Sequence, residues 1–145
     1  MSTITAAAAE PYTTHLGDAW WYGDGLFEFL IPSEATGGLL TVFRATMPEG
    51  FSPPRHVHTR EDEVFVVEDG ELRFDIAGRA AAAGPGTSVF MPRGVPHTFR
   101  VDGPSARVLG IMTPAGFESC SASSASPPRA ARFPTPASSR STSRG

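Results

Sequence analysis

The chain has 145 residues, 12 basic and 15 acidic, with a formal charge of −3. That length allows one domain of roughly 100–200 residues. The acidic balance excludes a general nucleic-acid or polybasic-membrane partner. Every basic residue is Arg, and Lys, Asn and Gln are absent.

The charge divides unevenly. Residues 1–118 hold all fifteen acids and eight Arg, which leaves −7, whereas 119–145 hold four Arg and no acid. The 119–145 tail has nine Ser and no Leu, Ile, Val or Met. It cannot bury enough apolar area to offset the entropy of ordering it. Two readings stand for this tail: a disordered low-complexity segment, or a shifted reading frame in a GC-rich gene. The working domain is therefore expected at 15–118, preceded by a flexible segment at 1–14. Cys120 is the only cysteine, so neither an intramolecular disulfide nor a Cys-rich zinc site can form. The first residues carry no basic, apolar signal pattern, and no apolar run approaches the roughly 18 residues a membrane helix needs. The expectation is a soluble, cytoplasmic protein.

In chain order, the consecutive aromatics Trp20, Trp21 and Tyr22 must pack, either over the domain or at a dimer interface. Short runs with β character follow at Leu26–Ile31, Leu39–Met47, Val64–Glu68, Leu72–Ile76, Arg79–Ala83, Thr87–Met91, His97–Val101 and Arg107–Met112. Phe27, Phe29 and Ile31 alternate, as do Leu72, Phe74 and Ile76, the pattern of half-buried strands. Turn residues punctuate these runs. Asp69–Gly70 signals a hairpin, Ala77–Gly78 a second tight turn, and Pro92–Arg93–Gly94 a third. No apolar repeat of helical period occurs in 1–118, and Ala80–Ala83 is too short for a stable helix. The pattern predicts an all-β sandwich or barrel.

Two stretches carry chemistry. In the first, Gly50 to Gly70, His56 and His58 stand at i and i+2, which on a strand is one face. Glu63 follows five residues later, where the next strand can return it to that face. In the second, Gly86 to His97, a third imidazole opens a strand. Three imidazoles and one carboxylate inside a barrel suit a divalent transition metal with open positions. Arg60, Glu61 and Asp62 read as a solvated turn or, alternatively, as residues shaping the pocket mouth; Glu68 and Asp69 read as hairpin residues, and His15 as a solvated side chain.

These stretches resemble the cupin superfamily. Its first motif, G-x5-H-x-H-x(3,4)-E-x6-G, fits from Gly50 to Gly70 at every specified position. Its second, G-x5-P-x-G-x2-H-x3-N, fits from Gly86 to His97, with Val101 in place of the Asn. Fifteen residues, Glu71–Pro85, separate the two, the short spacing of small microbial members. The resemblance implies a six- to eight-stranded jelly-roll barrel holding one divalent ion (Fe, Ni, Mn, Co or Zn) on His56, His58, Glu63 and His97. It also implies homodimerisation through strand edges.

The string PPRHVHTREDEVFVVEDGEL further resembles small quercetin 2,3-dioxygenase-like cupins. That implies a dioxygenase acting with O2 on a flavonol-like, enolic or phenolic small molecule, with Glu63 as ligand and base. Phe43, Met47, Phe65, Phe99 and Met112 are candidate substrate-binding residues as well as core. Phe65 and Phe99 each stand two positions after a ligand and so share its inward face. The alternatives are a non-redox isomerase or polyketide-cyclase-like enzyme using the ion as a Lewis acid, and a non-catalytic small-molecule-binding module.

Overall fold

The structure is a computed structural model that describes Pro11 and residues 18–116. Expectations for the remainder of 1–14, for His15 and Cys120, and for the 119–145 tail concern positions outside the described residues.

Among the described residues there are nine strands: β1 (Asp18–Tyr22), β2 (Gly25–Ile31), β3 (Thr41–Pro48), β4 (Asp62–Asp69), β5 (Leu72–Ile76), β6 (Arg79–Ala83), β7 (Ser88–Met91), β8 (His97–Val101) and β9 (Ser105–Thr113). A single 3-10 turn, Ser33–Thr36, is the one helical element among them. The strands form two antiparallel sheets, ordered β1-β2-β3-β9-β4-β7 and β6-β5-β8. The all-β, jelly-roll expectation holds. The strand number exceeds the six to eight expected because Trp20–Trp21–Tyr22 is itself a strand, paired with β2.

Alternation decides which side of each strand is buried. Phe27 and Phe29 on β2, Phe43, Ala45 and Met47 on β3, and Phe65 and Val67 on β4 all face the core. They meet Leu72 and Phe74 of β5, Phe99 and Val101 of β8, and Val108 and Met112 of β9. The centre is a run of ring contacts. Phe43 meets Phe65 at 6.0 Å, Phe65 meets Phe99 at 5.4 Å, and Phe99 meets Phe74 at 5.6 Å between centroids. Each such buried side chain contributes about 1.5–3 kcal/mol. Trp20 and Tyr22 pack edge-on against Phe29 and Phe27, while Trp21 faces outward.

Two glycines are dictated by their surroundings. Gly110, on the central strand β9, pairs with Phe43 on one side and Phe65 on the other. The Phe43 ring occupies the place a Cβ at Gly110 would take. Gly70 closes the β4–β5 hairpin at φ +84°, where a Cβ would run into the Ser105 backbone. Val101, which stands where the second motif has Asn, is fully buried and pairs with Leu72. Its N–H donates to the Phe51 carbonyl at 3.0 Å. An apolar side chain therefore completes the core at that position.

Candidate metal centre

The segment between β3 and β4 is not a strand, contrary to the expectation for His56 and His58. Pro53 and Pro54 lack the N–H groups a ladder needs, and His56 makes only an isolated bridge to His97. That bridge is complete. His56 N–H donates to the His97 carbonyl at 3.0 Å, and His97 N–H donates back at 2.9 Å. Two further links stitch the segment to the second motif. Gly94 N–H donates to the His58 carbonyl at 2.8 Å. Arg93 donates from its backbone and guanidinium to Asp62 at 2.9–3.2 Å, and these bonds hold the Asp62 carboxyl below the usual carboxylate range. The two motifs are thus fixed to each other by backbone and side chain, independently of any strand at 51–61.

The outcome is a triangle of imidazoles. Ring centroids lie 4.9 Å apart for His56–His58, 4.5 Å for His56–His97 and 5.3 Å for His58–His97. One ring nitrogen from each falls within 4.8 Å of the others. Hydrogen bonds assign the tautomers of two. His56 Nδ1 lies 2.8 Å from the Pro54 carbonyl and His97 Nδ1 3.0 Å from that of Val95. A carbonyl only accepts, so Nδ1 carries the proton and Nε2 keeps a lone pair. Among the described residues, Nε2 of His58 and of His97 are buried without a hydrogen-bond partner. Buried nitrogens are rarely left so. Convergent lone pairs on three neutral imidazoles are what a divalent cation requires, so the three histidines are positioned to bind one.

Glu63 stands beside the triangle, 4 % exposed, with Oε1 3.7 Å from His97 Nε2. That is too long for a hydrogen bond. Burial lowers the pKa of His97, but the Glu63 carboxylate and the Val95 carbonyl outweigh it and hold the group above its ordinary value. For His58 burial prevails: desolvation, with the neighbouring His56 and His97, lowers its pKa against the pull of Glu63 and Glu61.

Met112 on β9 and Met91 on β7 pair with Glu63 from either side. Both are buried and face inward with it. Phe43, Met47, Phe65 and Phe99 are also buried, in the aromatic core next to this row. The sequence did not single out Met91 or Phe51, and Glu61 read there chiefly as a solvated turn residue. Met91 follows from alternation with Val89. Phe51 stacks on Phe99 at 6.1 Å. Glu61 is no solvated turn residue: it is buried, with Oε2 3.9 Å from His58 Nδ1. Its signal was the i+3 spacing from His58.

Comparison with known proteins agrees with this picture. The cupin-domain family model Cupin_2 matches residues 43–112. The quercetin 2,3-dioxygenase of Bacillus subtilis is 26% identical over 112 residues, which cover 76% of this chain and 33% of that protein. The chain therefore spans about a third of the length of this curated relative. Among solved structures, an RmlC-like cupin from Shewanella frigidimarina aligns with TM-score 0.66 and 17% identity, covering 77% of this chain and 98% of its own. KdgF from Halomonas sp. aligns with TM-score 0.62 and 17% identity, covering 69% and 89%. A predicted oxalate decarboxylase from Thermotoga maritima aligns with TM-score 0.63 and 20% identity, covering 70% and 96%. These structures share the fold. No described helix is long and apolar enough to cross a membrane. With both motifs, the two-sheet barrel, the histidine triangle and the matching family model in place, the chain belongs to the cupin superfamily.

Proposed function

We propose that the chain is a metal-dependent dioxygenase acting on a flavonol-like or other enolic or phenolic small molecule. The observation that carries this reading is the placement of one buried carboxylate, Glu63, against three imidazoles whose free lone pairs converge. The similarity to a quercetin 2,3-dioxygenase supports the choice of chemistry.

His56, His58 and His97 would hold the ion, with Glu63 as fourth ligand, a set that admits Fe, Ni, Mn, Co or Zn. A divalent ion there supplies Lewis acidity, which lowers the pKa of a substrate hydroxyl. Glu63 accepts the hydroxyl proton as general base. Phe65, Phe99 and Met112, with Phe43 and Met47 behind them, give the substrate an apolar wall and exclude competing water. Dioxygen is the oxidant of the resulting enolate or phenolate. On this reading the chain is a cytoplasmic homodimer with a small-molecule substrate.

The test is oxygen-electrode measurement on protein loaded in turn with each of the five metals, over a panel of flavonols and polyketide-like enols. Oxygen uptake that requires both metal and Glu63 supports the proposal. Anaerobic turnover of the same enols would replace it with Lewis-acid isomerase or cyclase chemistry. Full metal loading without turnover would replace it with a binding role.

A further inference from the structure

The three imidazoles are not held alike. His56 and His97 each direct Nδ1 at a backbone carbonyl two residues earlier in the chain. His58 has no such bond; its Nδ1 faces the Glu61 carboxylate, 3.9 Å away and i+3 in sequence. Both side chains are about 11% exposed, so the carboxylate acts through a medium that screens it little. Nε2 of the same ring is buried and without a partner. The ring thus has a carboxylate near one nitrogen and a buried, unpartnered nitrogen at the other.

Glu61 is itself confined. A methyl group on Gly116, just beyond β9, would stand 2.7 Å from Glu61 Oε1. A side chain at Gly116 would therefore have to move the Glu61 carboxylate aside. The next residue, Asp62, is fastened to Arg93, so the backbone under Glu61 is anchored as well. A buried carboxylate is costly unless it is paired, and the ionisable group Glu61 faces is the His58 ring.

We propose that Glu61 is a positioning residue for the metal centre. Its charge, 3.9 Å from Nδ1 and beyond hydrogen-bond length, favours the tautomer with the proton on Nδ1 and so leaves the Nε2 lone pair as the ligand. A carboxylate hydrogen-bonded to a ligating histidine typically changes metal affinity by about 10–100-fold, a range Glu61 reaches if metal binding draws the His58 Nδ1–H onto it. The inference rests on the metal reading above and adds a second carboxylate to it, one that touches neither ion nor substrate.

The test is the zinc dissociation constant, measured by competition with a chromophoric chelator, together with the melting temperature of the metal-free protein. Glu61→Gln keeps the shape and removes the charge; Gly116→Ala keeps the carboxylate and displaces it. Each is expected to weaken zinc binding about 10–100-fold with the metal-free melting temperature unchanged, and Glu61→Asp to recover part of the loss. A Glu61→Gln protein that binds zinc within about twofold of the parent overturns the inference. So does a loss of affinity that comes with a lowered metal-free melting temperature and that Glu61→Asp does not relieve, since Glu61 would then be structural. If Glu61→Gln does not fold, Gly116→Ala is read with the same outcomes. A parent chain that takes up no zinc overturns the metal reading and this inference with it, whereas a parent that binds while the variants bind equally well overturns the inference alone.

Discussion

Oε1 of Glu63 lies 3.7 Å from Nε2 of His97, and both side chains are almost wholly buried. The two residues come from different motifs, 34 positions apart in the chain. They meet because β4 carries Glu63 inward between β9 and β7, while the bridge to His56 fixes the start of β8. A buried carboxylate beside an imidazole with no hydrogen-bond partner is costly without a cation between or beside them. The centre is therefore expected to depend on its ligands individually while the barrel does not.

His58→Ala and His97→Ala are each expected to reduce metal content from about one equivalent to below about 0.2 per chain, by the loss of one of three convergent imidazoles. Neither ring is a member of the hydrophobic core cluster, so the far-ultraviolet circular dichroism of the metal-free variants should match the parent. Atomic emission on protein purified in parallel checks the first point. Full occupancy in either variant would exclude that histidine as a ligand.

Glu63→Gln preserves the shape of the side chain and removes the base. If Glu63 takes the substrate proton, kcat should fall by about 10²–10⁴-fold even where residual metal is brought to saturation. Steady-state oxygen uptake at saturating metal separates the two effects. A variant whose kcat recovers fully on adding metal would reduce Glu63 to a ligand.

Metal uptake should weaken in two steps as pH falls. His97 has a pKa above its ordinary 6.5 and His58 one below it. In the metal-free chain His97 therefore takes a proton before pH 6.5 is reached on the way down, and His58 only at lower pH. Each proton must leave before the metal can bind. Zinc affinity measured from pH 8 to 5.5 should fall slowly at first and more steeply below 6.5; a flat profile would contradict the assignment.

Gly110→Ala places a methyl group in the space of the Phe43 ring at the middle of the larger sheet. The expected cost is about 1–3 kcal/mol, from a ring forced off its rotamer. Urea denaturation should show it, and Phe43→Leu in the same chain should return part of the loss, a coupling that distant sites do not show. Additive destabilisation by the two substitutions would mean that ring and glycine do not compete for the same space.

Much of this arrangement can be read from the residues, for identifiable reasons. Alternation marked β2 and β5, and glycine with proline marked the turns that separate the strands. Trp20–Trp21–Tyr22 does not alternate in polarity, so its strand became visible only through pairing with β2. The motif spacing brought His56, His58, Glu63 and His97 together, but a strand at His56–His58 did not follow, because Pro53 and Pro54 break the ladder there. Glu61 was obscured by its neighbours: Arg60, Glu61 and Asp62 in a row resemble a solvated turn, and the backbone that approaches the Glu61 carboxylate comes from Gly116, 55 positions away. The order of strands across the larger sheet depends on pairings such as β9 with β3 and β4, which no local pattern encodes.

The central claim is that His56, His58 and His97 bind one divalent metal ion. Elemental analysis of protein purified without added metal tests it most directly. About one equivalent of a single transition metal per chain, lost in His97→Ala, is the result expected. A parent chain with less than about 0.1 equivalent, whose melting temperature does not rise on adding Fe, Ni, Mn, Co or Zn as binding to the native state requires, would contradict it.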